Sequence, residues 1–481
     1  MTTHRGAVRS PRRDHGLRGT RGYVRGAPPG FRRAGRLVNG RFGRGCRVAA
    51  ALLTLAACQS GPARVAAAPT GTPGRSSGVL TWAASAERLG RGTAGAEYRM
   101  IVHTSVGGGA LRVRFTNAFG DRPLTLDDVY AGPRARGAAL RPGANHALTF
   151  GGVRRITLPA GAVAWSDPLP GRVPAGTDLA VSLRTPDAVG PASGHELALQ
   201  TSYLGQGGGH TAEEGGGHWT LTTGSWWYVD AVAVLPDRPA TGAVAALGDS
   251  LTDGRQSTPD RNRRWPDHLA RRLHSARGPV QGVADEGISG DKMLADGAGD
   301  GAGQSVLHRF DRDVLSQPGV RTVVLFAGVN DLKAGTGVTA ADLVAGYRRL
   351  VRRAHAARLC VVAATLSPFK GWPEWDRKAE AVRREVNRFL RGSREFDAVT
   401  DFDRTLRDPH DPERLRPDYD GGDHLHPDDR GMRALADTVD LNRLDCARRG
   451  SARRPPQRSP RRHPSVRAQS SGTRPAGPGT G

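Results

Sequence analysis

Residues 243–254, AVAALGDSLTDG, constrain this 481-residue chain more than any other stretch. Five apolar residues, Ala243-Val244-Ala245-Ala246-Leu247, end abruptly at Gly248-Asp249-Ser250-Leu251. A short apolar run closed by glycine reads as a strand buried on both faces, with a helix expected beyond it. A serine at that junction has its hydroxyl at the carboxyl end of a parallel sheet, where open α/β folds place ligands. Backbone N–H groups at a helix start lack intrahelical acceptors and favour negative charge. The same residues also make an ordinary Asp-Ser helix cap, so the stretch alone assigns no chemistry.

The chain beyond residue 243 supports the sheet. Strands are expected at 243–247, 280–284, 322–327, 359–366 and 398–402, with helices at 266–273, 340–357, 375–389 and 428–440. Strands alternating with helices indicate an α/β fold, a parallel sheet covered by helices on both faces. Upstream, segments 111–116, 155–158 and 179–183 alternate apolar and polar residues. Turn residues such as Gly107-Gly108-Gly109, Pro159-Ala160-Gly161 and Gly207-Gly208-Gly209 lie between them. That pattern predicts a jelly-roll-like β-sandwich preceding the α/β domain. Trp226-Trp227-Tyr228 is the densest aromatic cluster. Core or sheet-edge packing is expected of it ahead of contact with a sugar or lipid.

The formal net charge of +24 invites a nucleic-acid reading, and its distribution answers it. Residues 1–57 hold 13 Arg against Asp14 alone, and residues 447–481 hold 9 Arg and no acid. These ends contribute +12 and +9, leaving +3 for everything between. No basic groove with interleaved aromatics is visible, so nucleic acid is not an expected partner.

The ends also carry targeting signals. Residues 48–57, VAAALLTLAA, come after Arg41, Arg44 and Arg47, and are too short to span a bilayer. They have the flanks of a signal-peptide core. Leu55-Ala56-Ala57-Cys58 resembles the lipobox of bacterial lipoproteins, which implies lipidation of Cys58 and a membrane contact through that anchor only. An ordinary signal peptide, cut without lipidation, is the alternative. Either implies an exported chain, secreted or on the outer face of the cell membrane. Cys360 lies in an apolar run and reads as a small buried hydrophobe. With Cys46 removed on export, Cys46, Cys58, Cys360 and Cys446 give no disulfide framework and no metal-ligand spacing. The expected organisation is a targeting segment at 1–57, a flexible linker at 58–77, the sandwich at 78–236, the α/β domain at 240–445 and a disordered basic tail at 446–481.

Acyl transfer needs a nucleophile, a base, a group that orients the base, and donors for an oxyanion. Each has a candidate at an expected strand end. Ser250 comes after the first strand, Gly287-Ile288-Ser289-Gly290 after the second, and Gly328-Val329-Asn330-Asp331 after the third. Near the C-terminus stands Asp423-His424-Leu425-His426-Pro427. A spacing of three lets Asp423 and His426 meet over one tight turn; His424 competes but does not fit that spacing. Asp331 is expected to hold the Asn330 loop rather than react.

These four blocks, in this order, resemble those of the GDSL, or SGNH, hydrolase superfamily over about 243–441. The upstream part, with His103-Thr104-Ser105 and 115–120, resembles the domain preceding this unit in secreted actinobacterial members. The resemblance implies a flavodoxin-like SGNH architecture and a serine ester hydrolase of esterase or lipase type, with no cofactor or metal. It implies Ser250 as nucleophile, His426 as base, Asp423 as its partner, and Gly290 and Asn330 as oxyanion donors. Position 252 is Thr, so the G-x-S-x-G elbow of α/β-hydrolases is absent. One departure is Asp285, where related sequences carry Asn; an Asp can cap the adjoining turn but brings a negative charge near the oxyanion site. Small acyl esters, lipids and acetylated glycans all satisfy the same blocks. The alternatives are an acetylated-polysaccharide deacetylase and a glycan- or envelope-binding protein with a vestigial hydrolase.

Overall fold

The run at 243–247 lies inside strand β1 (Ala240–Gly248), in the interior of a five-stranded sheet. In this computed structural model, residues 78–187, 189–297, 303–333 and 335–446 are described, with Gly477, Gly479 and Gly481. The other strands are β2 (Val280–Gly287), β3 (Val320–Phe326), β4 (Cys360–Ala364) and β5 (Ala398–Thr400). They stand in the order β2-β1-β3-β4-β5, every pairing parallel. This is the flavodoxin-like order, with its switch point between β1 and β3. All five residues of the run are 0% exposed, which is why the sequence there is apolar without alternation.

The helices fall into two packing groups. A one-turn α1 (Ser250–Asp253) succeeds β1, and α2 (Trp265–Ser275) returns the chain to β2. Helix α3 (Val306–Phe310), extended by a π-helical turn at Asp311–Leu315, precedes β3. Then come α4 (Ala340–Ala356), α5 (Arg377–Gly392), α6 (Phe402–Leu406) and α7 (Asp429–Thr438). Helix α2 packs on α7, and α7 on α6, whereas α4 packs on α3 and α5. Right-handed crossovers that run one way from β1 to β2 and the other way from β3 onward send these groups to opposite faces. Local signals set the boundaries: Pro266 in the first turn of α2, a Thr339/Asp342 capping box on α4, and Asp376 capping α5.

Upstream of β1 the chain is antiparallel. Strands Val79–Ala83, Val229–Pro236, Gly108–Thr116 and Leu169–Val173 make one sheet. A second contains Ala96–His103, Asp178–Thr185 and Leu124–Arg136. Val113, Phe115 and Val232 from the first share a core with Met100, Val181 and Leu183 from the second. A small third sheet joins Glu87–Arg91, Pro191–His195 and Trp226–Trp227. Trp226 and Tyr228 are buried, and the Trp226 indole N–H donates to Ile101 O at 2.7 Å, so this pair packs in the core.

The β-rich region covers the outer edge of β2. Ser105 Oγ accepts the Val283 N–H at 3.0 Å and donates to Thr81 O at 2.7 Å. Ala84 and Asp285 form an isolated parallel bridge. A sheet edge that would otherwise offer unpaired backbone groups is thereby closed.

The structure corrects the expectation for Cys360. It is disulfide-bonded to Cys446, with Cα atoms 5.9 Å apart, and is not a free packing residue. Its apolar flanks belong to β4, which disguised it; Cys446 stands in a polar segment with no pattern pointing back. The expected targeting segment, Cys58, the linker, and the tail at 447–476 lie outside the described residues. Among the described residues no helix is long and apolar enough to cross a membrane.

Candidate active site

Asp249 caps α1: its Oδ1 accepts the Leu251 N–H at 3.0 Å, and Gly254 at φ +88 stops the helix after one turn. Ser250 is therefore the first residue of a helix standing on the carboxyl end of β1. Its N–H has no intrahelical acceptor. The helix-cap and strand-end serine readings both describe this junction.

The hydroxyl meets an imidazole from the far end of the chain. Ser250 Oγ lies 2.7 Å from His426 Nε2, across 176 residues. His426 Nδ1 lies 2.7 Å from Asp423 Oδ2. A carboxylate only accepts, so the ring proton sits on Nδ1 and the Nε2 lone pair faces Ser250. Asp423 Oδ1 also takes the backbone N–H groups of Leu425 at 3.0 Å and His426 at 2.8 Å. Gln256, which the sequence did not single out, donates to Asp423 Oδ2 at 3.1 Å. Burial alone would raise the Asp423 carboxyl, but the hydrogen bonds from His426 prevail and hold it well below the usual range. His426 and Ser250 are buried, 3% and 4% exposed. His424 is not part of this arrangement: at φ +66 its exposed ring pairs with Asp420.

Gly290 and Asn330 arrive on the neighbouring strand ends. In register, Gly248 faces Gly287 on one side and Phe326 on the other. A Cβ on Gly287 would collide with the Asp253 backbone, so only glycine lets α1 and this turn abut. Gly290 has φ +88, which favours glycine, and a Cβ there would find open space. Buried Asn330 donates its amide to Asp291 O at 2.8 Å, which ties it to the peptide just after Gly290. Asp331 accepts the N–H groups of Met293 at 2.6 Å and Leu294 at 3.1 Å, so it fastens the β3 loop to the β2 loop. Burial pushes Asp331 up to about 6.

Asp285 caps its turn, accepting the Gly287 N–H at 3.1 Å. Burial pushes its carboxyl up to about 8, although Arg264 Nε lies 3.9 Å from its Oδ2. Burial thus disfavours the extra charge expected there, and the side chain presents the turn with an oxygen much as Asn would.

Arg309 was illegible in the sequence because a lone Arg in a helix reads as solvated charge. It is 1% exposed and binds Gly248 O at 2.6 Å, Glu286 O at 2.9 Å and Asp291 Oδ2 at 2.6 Å, cross-linking the two strand ends. Trp372 stands edge-on to His426, ring centres 5.7 Å apart, with Lys333 5.0 Å from its centre. For metals, two groups among the described residues bring three donors within 4.8 Å: His210, Glu213 and His218, and Cys360, Asp397 and Cys446. The first are already hydrogen-bonded to one another and the second includes the disulfide. Neither includes a residue of the Ser250 arrangement.

The model of the GDSL-like lipase/acylhydrolase family matches residues 246–434. No curated protein matches the chain. Among solved structures, the native M. smegmatis aryl esterase is 19% identical, covering 42% of this chain and 99% of its own, with TM-score 0.35. A carbohydrate acetylesterase from Sinorhizobium meliloti is 17% identical, covering 40% and 94%, with TM-score 0.33. A lipolytic G-D-S-L protein from Veillonella parvula is 18% identical, covering 41% and 94%, with TM-score 0.32.

Proposed function

Residues 246–434 form a GDSL-like lipase/acylhydrolase domain, and from that premise we propose that the chain is a serine ester hydrolase working through an acyl-enzyme. One observation carries the reading: Ser250 Oγ is 2.7 Å from a His426 whose other ring nitrogen is held by Asp423. In this reading His426 Nε2 takes the Ser250 proton as Oγ attacks the ester carbonyl. The oxyanion is held by the Ser250 and Gly290 N–H groups and the Asn330 amide. His426 then passes the proton to the departing alkoxide, which leaves as the alcohol. Water, deprotonated by the same Nε2, releases the acid and returns the proton to Ser250.

We further propose that catalysis takes place outside the cytoplasm. The Cys360–Cys446 disulfide supports this, because such bonds persist in oxidising compartments. Lipidation at Cys58 belongs to the same reading. Trp226 and Tyr228 are buried and Trp227 is half-buried, so packing accounts for this cluster as expected, without contact to a sugar or lipid. The test is turnover of p-nitrophenyl acetate and butyrate by the purified protein. Ser250→Ala abolishes it if the reading is right, and full activity in that variant overturns it. An ester panel including acetylated xylan then ranks acyl and glycan substrates.

A further inference from the structure

The β-rich region meets the α/β domain at a buried ion pair behind the oxyanion turn. His195 ends the strand Pro191–His195, and Asp253 ends α1, three residues after Ser250. His195 Nε2 lies 3.0 Å from Asp253 Oδ1, with side chains 4% and 3% exposed. The other ring nitrogen, Nδ1, faces Ser85 O at 3.0 Å. A carbonyl only accepts, so Nδ1 carries a proton. The carboxylate at Nε2 also only accepts, so the pair holds a second proton between them. Burial alone would strip the imidazolium, but the Asp253 charge reverses this and pushes His195 up to about 10.

Asp253 uses its second oxygen on the oxyanion turn: Ser289 Oγ donates to Asp253 Oδ2 at 2.6 Å. That length is typical of a hydroxyl bound to a charged carboxylate. Ser289 immediately precedes Gly290. The backbones of α1 and the turn touch at Gly287, and Asn330 and Arg309 anchor the turn beyond Gly290 at Asp291, so the hold of Asp253 on Ser289 fixes the stretch between these two points. Remove the imidazolium, and buried Asp253 loses its hydrogen-bonded cation, which leaves Arg264 as the remaining positive charge acting on it and a pull away from the Ser289 geometry.

We propose that His195 is a positioning residue for ester hydrolysis, aiming the Gly290 N–H through Asp253 and Ser289, and that the β-rich region thereby completes the active site. This rests on Ser250 acting as nucleophile and Gly290 as oxyanion donor. It makes the sandwich part of the hydrolase, in contrast to a separate binding module. It also predicts a distinctive defect. Substrate docking survives, while stabilisation of the tetrahedral oxyanion is lost.

The test uses the full chain with p-nitrophenyl acetate as substrate and phenylboronic acid as a tetrahedral-anion probe. His195→Ala lowers kcat on the order of 10–100-fold, the size expected for misplacement by about 1 Å. Affinity for the boronic acid falls in parallel, and KM stays close to wild type. Ser289→Ala does the same, and the double variant is no worse than the larger single one, because both break one chain of contacts. His195→Gln, which keeps one N–H donor toward Asp253, recovers part of kcat. Unchanged kcat and boronic-acid affinity in folded His195→Ala, or losses that add in the double variant, overturn the proposal. Should His195→Ala fail to fold, wild-type kcat in both His195→Gln and Ser289→Ala overturns it equally. A wild-type protein without Ser250-dependent turnover overturns the functional reading and this proposal together; variants matching an active wild type overturn this proposal alone.

Discussion

Asp423 holds His426 twice, through the ring Nδ1 at 2.7 Å and through the backbone N–H at 2.8 Å, one to each carboxylate oxygen. The double grip fixes the imidazole in position and tautomer together. Asp423→Asn keeps the shape but offers an amide N–H where an acceptor is needed. The expected result is a kcat lower by on the order of 10⁴-fold, the size such a tautomer error costs in other serine hydrolases, with KM little changed. Steady-state kinetics on p-nitrophenyl acetate measures it.

Asn330 is expected to act late on the reaction coordinate. Its amide is anchored on Asp291 O and aimed by β3, so truncation removes a donor without moving Ser250 or His426. Asn330→Ala should cost about 2.7–4 kcal/mol of barrier, a fall of roughly 10²–10³ in kcat. Ground-state binding should be nearly unaffected, and the split between kcat and KM reads this directly.

Asp285 gives a pH signature. Its folded value of about 8 is raised above the ordinary 3.8, so ionising it is unfavourable in the native state. Its contribution to stability is full below about pH 4 and declines as pH rises through 8. Asp285→Asn cannot ionise. The melting temperature of the variant should gain on wild type between pH 6 and pH 9, while turnover at pH 7 stays close to wild type. Thermal denaturation at the two pH values checks the first, and initial rates the second.

The disulfide closes a loop of 86 residues, between β4 and the segment after α7. Cys360→Ala with Cys446→Ala should lower the unfolding free energy by about 2–4 kcal/mol, read by urea denaturation. Activity at room temperature should survive, because neither cysteine touches the Ser250 arrangement.

The parallel sheet was legible because β1, β3 and β4 carry unbroken apolar runs and the longer helices α2, α4, α5 and α7 each bury one apolar face. The blocks around Ser250, Gly290, Asn330 and Asp423-x-x-His426 were legible because each sits where a strand or turn ends. Side chains whose meaning lies in distant partners could not be read. Arg309 reaches Gly248 O across 61 residues, and His195 reaches Asp253 across 58, with no local pattern marking either. Cys446 was hidden by polar neighbours, and α1 and α3 are too short to show a helical period.

The most direct measurement is covalent. The protein is treated with a fluorophosphonate ester, digested, and the adduct located by mass spectrometry. The expected result is one adduct, on the peptide carrying Ser250, formed far more slowly in His426→Ala and absent in Ser250→Ala. An adduct on another residue, or undiminished ester turnover once Ser250 is blocked, contradicts the account.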